Sequence, residues 1–301
     1  MRPGSRGLAL LSVLWAAGVL ALLAAGLASS SRTEARLARN LLENARAEAL
    51  ADAAVQRGML GVLEADPARL WQPGRVYQLA LPGGRARVRI EDEDAKIDLN
   101  VAPPELLAGL FRVLGVEDEE ADALADRIVD FRDDDDETSP LGAEDADYEA
   151  MGLDHGAKDD AFAANEELLL IPGMTAELYD LVRPHVTVFS GAEGVDPLIA
   201  SRTVLAAIPD MSEDVIEALV AAGPQADPFE LIDDEVIYDL ELYFVFSRAT
   251  TYTIRAEAVT DSGATFIREM VVDLAGGADL PYLIYGWRRI ASAEEPAQSE
   301  R

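Results

Sequence analysis

The chain has 301 residues, half of them hydrophobic, enough for about two domains and too apolar for general disorder. Its 25 Lys and Arg face 56 Asp and Glu, a net charge of −31, which argues against a nucleic-acid partner and suits a cation, a basic protein or plain solvation. Cysteine is absent, so an exported domain has no disulfide and any staple is a metal or a partner subunit.

The chain begins MRPGSRG, with Arg2 and Arg6, and runs into LALLSVLWAAGVLALLAAGLA, Leu8 to Ala28, without a charge. About 20 apolar residues cross a bilayer as a helix. The two arginines keep the N-terminus cytoplasmic and put the rest outside. Ala25 to Ser30 could pass for a signal-peptide cleavage site ahead of Ser29, which leaves signal peptide, signal anchor and processed anchor open. The helical pattern continues past Ser31 to Leu63, with few breakers before Asp66. Ala38, Leu42, Ala45, Ala49 and Ala53 recur at spacings of three and four and predict the apolar face of a helix about 84 Å long from Leu8.

After Pro67 the period changes to two. VYQLAL (76–81) and RARVRI (85–90) alternate around Pro82-Gly83-Gly84 and predict a hairpin, with Arg85, Arg87 and Arg89 on one face and Ala86, Val88 and Ile90 on the buried one. YTIRAEAV (252–259), the turn at Asp261-Ser262-Gly263 and TFIREMVVDL (265–274) repeat the pattern, and Tyr282 to Tyr285 predict a short last strand. Trp15 fits packing against lipid or a partner helix, and Trp71 and Trp287 fit the sheet or core. The simplest architecture is α+β: a long N-terminal helix on an antiparallel sheet, with a helical insertion at residues 95–245.

That insertion carries a weak repeat. The segment at 97–110 parallels 195–208, and LLLIPGMTAELYDLV (168–182) parallels LAAIPDMSEDVIEAL (205–219). These resemble helix-hairpin-helix units, in which Thr175 or Ser212 caps the second helix and Glu177 or Glu213-Asp214 occupies its first turn. Such units elsewhere hold DNA backbones. Here Asp210, Glu213, Asp214 and Glu217 surround the turn, so the units read as packing modules, and a membrane-tethered DNA-binding protein is the weaker alternative.

From Glu117 to Glu149 there are 16 acidic residues and 2 basic ones. Asp133, Asp135, Glu137 and Glu144 fall at positions 1, 3, 5 and 12 of a twelve-residue window, as in an EF-hand, but Thr138 replaces the required Gly and Pro140 follows. Charge alone favours a solvated loop. Hard carboxylates without His or Cys otherwise select Ca²⁺ over zinc, in a geometry unlike the EF-hand, with Asp130, Asp133, Asp135, Asp136, Glu137, Glu144 and Asp145 as candidate ligands. His155, in LDHGAKDD, reads as a loop residue and His185 as structural; no HExxH, GxSxG or phosphate-binding loop occurs, and nothing supports an enzyme.

The start of the chain resembles a class III, pilin-type leader: a short basic peptide, Gly7, then an apolar helix from Leu8. In that family a prepilin peptidase cuts after the Gly and the new N-terminus is methylated. Most members carry Glu at the fifth mature position; Ser12 stands there in this chain, a departure shared by the K-type minor pseudopilins of type II secretion. The order of AKIDLNVAPPELL (95–107), DFRDDDDETSPLGAEDADY (130–148), EELLLIPGM (166–174) and PYLIYGWR (281–288) resembles that family across nearly the whole chain. The resemblance implies leader 1–7, membrane and filament-core helix 8–28, helix and first strands 29–94, insertion 95–245, last strands 246–291 and a polar, disordered tail 292–301. It also implies cleavage between Gly7 and Leu8, structural Ca²⁺ in the acidic loop, and a single-pass inner-membrane protein with a periplasmic domain. The implied role is capping a pseudopilus tip and initiating its assembly with I- and J-type minor pseudopilins and the major pseudopilin. A signal-anchored periplasmic Ca²⁺-binding protein is the remaining alternative.

Overall fold

The computed structural model describes residues 5–64, 66, 69–223, 226–227, 231, 240–245, 250–276 and 280–290, and of these the side chains at 5–10, 24–25, 27–32 and 241 are not described. The tail 292–301 lies outside the described residues. Helix α1 (Ser5–Val62) is unbroken over 58 residues, about 87 Å at ~1.5 Å per residue. Among the described residues no helix is long and apolar enough to cross a membrane. Within Leu8–Ala28 the longest fully described stretch is 11–23, shorter than the ~20 residues a span needs.

The lower part of α1 packs on the sheet through Ala47, Ala51, Ala54 and Val55. The face expected from spacing is the wrong one: Ala38, Leu42, Ala45, Ala49 and Ala53 are exposed. This helix is alanine-rich on two sides, so periodicity alone fits either. Arg268 of the sheet selects between them, its Nε donating to Asp52 Oδ1 (2.6 Å) and its Nη2 to Glu48 Oε1 (2.7 Å).

The sheet has the order β1 (Val76–Leu81), β2 (Gly84–Asp92), β5 (Thr251–Thr260), β6 (Thr265–Asp273), β7 (Leu283–Ile290), and every neighbouring pair is antiparallel. Alternation along β2 is as the sequence predicts: Ala86, Val88 and Ile90 are buried against α1, while Arg85, Arg87 and Arg89 point away. β7 is longer than Tyr282–Tyr285, and Trp71 stacks on Tyr77 at 4.1 Å.

β2 and β5 are sheet neighbours, yet residues 93–250 lie between them. The insertion is therefore one very long hairpin connection. It opens with a 3-10 turn at Glu93–Ala95 and holds β3 (Ile97–Asp98), α2 (Pro104–Val113), α3 (Asp118–Arg132), α4 (Asp145–Ala150), α5 (Ala176–Val182), β4 (Val186–Thr187), α6 (Arg202–Ala206) and α7 (Glu213–Ala222). β3 and β4 pair in parallel, which the sequence reading does not anticipate. Leu106, Leu107, Phe111, Leu124, Ile128, Phe131, Tyr148 and Leu168 form its core.

The repeat is real in its turns. Thr175 Oγ1 accepts from Leu178 N (3.1 Å) and Ser212 Oγ from Val215 N (3.4 Å), each capping the following helix. Gly173 and Asp210 occupy the same place in the two copies, and both have positive φ, 91° and 58°. Asp is one of the few side chains that tolerate this region. The preceding helices are abbreviated, one to a 3-10 turn (Asn165–Leu170) and the other to the five residues of α6. The first members of the paired segments pack on each other: a Cβ at Gly109 of α2 would overlap the Ala207 carbonyl oxygen beside α6.

Candidate functional site

α3 aims Leu124, Ile128 and Phe131 into the insertion core, and Asp130, between the last two, is carried inside with them. A buried carboxyl group requires hydrogen-bond partners, and its oxygens accept from the Ser139 backbone N–H at 3.1 and 3.2 Å. That contact folds 133–139 back over the end of α3. Leu141 N donates to Asp126 Oδ2 (3.0 Å), and a Cβ at Gly142 would overlap Asp130 Oδ2, so a larger residue there would displace that carboxylate. The chain then enters α4 through Glu144, whose N–H donates to Asp147 Oδ2 (3.1 Å).

Glu144 is the anomaly. Its residue is 6% exposed, and Oε1 is buried with no hydrogen-bond partner. Asp133 Oδ1 and the Tyr148 hydroxyl are buried without partners as well. Burial, followed by repulsion from Asp130, Asp133, Asp159 and Asp136, pushes the Glu144 carboxyl up to about 7. Burial, then Asp135 and Asp130, raises Asp133.

The structure thus groups Asp130, Asp133, Asp136 and Glu144 of the predicted residues. Asp135 accepts from Glu137 N (2.8 Å) in a local turn, and Glu137 is exposed. Asp145 starts α4 and abuts Gly156, where a Cβ would overlap its Oδ1. Asp159, which the sequence reading misses, joins the group from a later loop, with a φ of 53° as its signature. Among the described residues no three acidic or histidine side chains stand ready as a coordination set. The donors nonetheless fit a hard cation: all are carboxylate oxygens, and two of them are buried without a partner. Asp130, Asp133, Asp136, Glu144 and Asp159 are the residues that would hold it.

The histidines lie elsewhere. His155 Nε2 is 3.1 Å from the Leu170 carbonyl, and the ring meets Tyr148 edge-on at 5.5 Å. His185 Nδ1 is 3.4 Å from Ser201 Oγ, burial depresses its pKa, and its carbonyl receives Ile97 N in the β3–β4 pairing region.

A second acidic group, unforeseen from the sequence, sits where the sheet gives way to the insertion. Asp92, Glu93, Asp94 and Asp98 are all buried within seven residues. Glu93 is held by Lys96 Nζ (2.9 Å) and by the Thr187 hydroxyl. Asp98 accepts from Asn100 N (2.8 Å), Gly191 N (2.8 Å) and Ser190 Oγ (3.1 Å). Beside it a cleft of about 480 Å³ opens between the insertion and the sheet, lined in part by Phe162, Phe189, Thr251 and Tyr285.

Residues 88–191, which span the end of β2 and both acidic groups, match the family model for type II secretion system (T2SS) protein K. The chain is 29% identical over 254 residues to type II secretion system protein K of Pseudomonas aeruginosa, covering 75% of this chain and 76% of that protein. Its fold matches a chain in the crystal structure of the GspK-GspI-GspJ complex from the enterotoxigenic Escherichia coli type 2 secretion system, with a TM-score of 0.62 and 20% identity over 87% of this chain and 99% of that one. The family to which the leader and the motif order point is thus the one that these matches return, type II secretion system protein K.

Proposed function

We propose that the chain is a minor pseudopilin of a type II secretion system that caps the pseudopilus tip and initiates its assembly. The observation that carries this reading is α1. One unbroken helix presents exposed Leu11, Val13, Leu14, Trp15, Leu20, Leu22 and Leu23 at one end and enters the core of a folded domain at the other. An apolar helix left bare by its own domain needs lipid or other helices around it. In this reading Leu8–Ala28 holds the protein in the inner membrane and then packs among the helices of I-type, J-type and major pseudopilins. Ser12 offers no carboxylate to a neighbour's amine, and the insertion bars a further subunit from stacking above. Both features suit a first and terminal position.

Mass spectrometry of the mature N-terminus tests the reading. Methyl-Leu8 is the expected result. An intact Met1 would make the chain a plain anchor, and Ser29 an ordinary secreted domain. Gly7→Ala should block the cleavage, whereas Ser12→Glu should change assembly little.

Within this reading the loop around Glu144 binds a structural Ca²⁺. Calorimetric titration of the full chain in detergent should give heat that Glu144→Gln abolishes. Absence of heat and of any melting shift at millimolar Ca²⁺ would sink the calcium site and leave the filament role standing.

A further inference from the structure

The acids at the mouth of the insertion include three, the buried Asp92 and Asp94 and the half-buried Asp196, that pair with no Lys or Arg among the described residues. Asp92 closes β2 opposite Tyr252 of β5. Among the described residues its Oδ1 accepts only the Asp94 N–H (3.1 Å). Asp94 is 6% exposed, and no donor among the described residues reaches its carboxylate. Asp196 arrives from the far side of the insertion: its N–H donates to Asp94 O (2.7 Å) and its Oδ1 accepts from Leu198 N (2.9 Å). The residue before it, Val195, exchanges backbone hydrogen bonds of 2.9 Å with the returning chain at Tyr243 and Val245. The trio therefore sits where the outgoing and returning strands of the insertion meet the sheet.

The other charged groups around it are already engaged. Lys96, from the 3-10 turn, pairs with Glu93 (2.9 Å) and Glu91 (3.3 Å). Glu93 also takes the Thr187 hydroxyl of β4 and a hydrogen bond from Thr253 of β5. Asp98 of β3 has three donors, and Arg132 of α3 donates to the Leu99 and Ala102 carbonyls (2.8 Å for Ala102). Among the described residues no Lys or Arg forms an ion pair with Asp92, Asp94 or Asp196. Like charges gathered in so dry a place disfavour the fully ionised state.

We propose that Asp92, Asp94 and Asp196 form a proton-linked joint, in which a proton held within the trio keeps the insertion closed on the sheet and its release loosens that seam. Burial and mutual repulsion act together. Burial first, and then Asp94 and Asp196 among its neighbours, push Asp92 up to about 8, while burial and then Asp196 raise Asp94 to about 6. The sign follows: the closed state binds a proton that the opened, solvated state gives up, so opening is promoted as pH rises through this window. Loosening would widen the cleft beside Ser190 and Gly191, because those residues both line it and donate to Asp98.

Hydrogen exchange of the Asp196 amide in the full chain, corrected for the intrinsic rate, tests the joint. Between about pH 6 and pH 8 the wild-type protection should fall by as much as about tenfold per pH unit, the limit for one proton released on opening. Asp92→Asn or Asp196→Asn should flatten that slope while the central amides of β5 keep theirs. A wild-type slope near zero overturns the joint whatever the variants do, and so does an undiminished slope in Asp196→Asn. Restoration of protection at the upper pH by millimolar CaCl2 in Glu144→Gln protein overturns it too, since a cation would then be neutralising the trio.

Discussion

The insertion and the body that carries it are built on opposite principles. Residues 93–245 hold 40 of the 56 acidic residues and 7 of the 25 Lys and Arg, a net of −33; the rest of the chain nets +2. The body consists of long regular elements, a 58-residue helix and strands of six to ten residues, whose backbone bonds satisfy one another. The insertion has helices of five to fifteen residues, so much of its backbone lies in loops tied down by carboxylates: Asp126, Asp130 and Asp98 each receive main-chain donors. Acidity there is thus partly architectural. Short helices are marginal without tertiary support, and this region takes its support from a dry core and from acidic side chains that act as backbone acceptors.

Perturbing each half separately sharpens the contrast. Phe111→Ala, in the insertion core, should cost about 3–5 kcal/mol and lower an insertion transition while leaving the far-ultraviolet signal of the sheet; loss of both together would deny the halves their independence. Calcium at a hundredfold excess over its dissociation constant should stabilise the insertion by about 2.7 kcal/mol in denaturant titration, an effect absent in Glu144→Gln. Calcium needs the Glu144 carboxylate ionised, so this stabilisation should grow as pH rises toward about 7. Arg268→Ala acts on the body alone. The guanidinium is only 8% exposed, but its acidic partners are partly solvated, so a loss of about 2 kcal/mol is expected from chemical unfolding. Thr175→Ala, removing one cap in the insertion, should cost about 1 kcal/mol and shift its midpoint alone.

The two halves also differ in how much of them can be read from sequence. The hairpin at 76–92 is legible because period-two alternation fixes which side is buried, and the caps at Thr175 and Ser212 because an oxygen ahead of a helix has one local job. The face of α1 is not: Ala49 and Ala51 are the same residue type, and only the distant Arg268 tells which side meets the sheet. The acidic loop announces itself by density, yet density does not distinguish Glu144, buried with an unpartnered oxygen, from the exposed Glu137. Asp159 escapes because it reaches Glu144 from a later loop, and Asp196 because it meets Asp92 and Asp94 from a distant segment, through its N–H bond to the Asp94 carbonyl.

The adjacency of β2 and β5 sets an order of events for the chain as it is made. Once α1 and the β1–β2 hairpin have emerged, the strand that completes the sheet is still 158 residues away. Closing so long a loop as a random coil costs little more than closing one half its length, about 0.6 kcal/mol per doubling. If the insertion folds first it does better still, because the bond from Asp196 N to the Asp94 carbonyl and those of Val195 with Tyr243 and Val245 draw its two ends toward each other and deliver β5 to its place. The nascent body meanwhile has two strands and a helix but no finished core. Holding the helix in a membrane during that interval would keep the unfinished sheet from meeting another copy of itself.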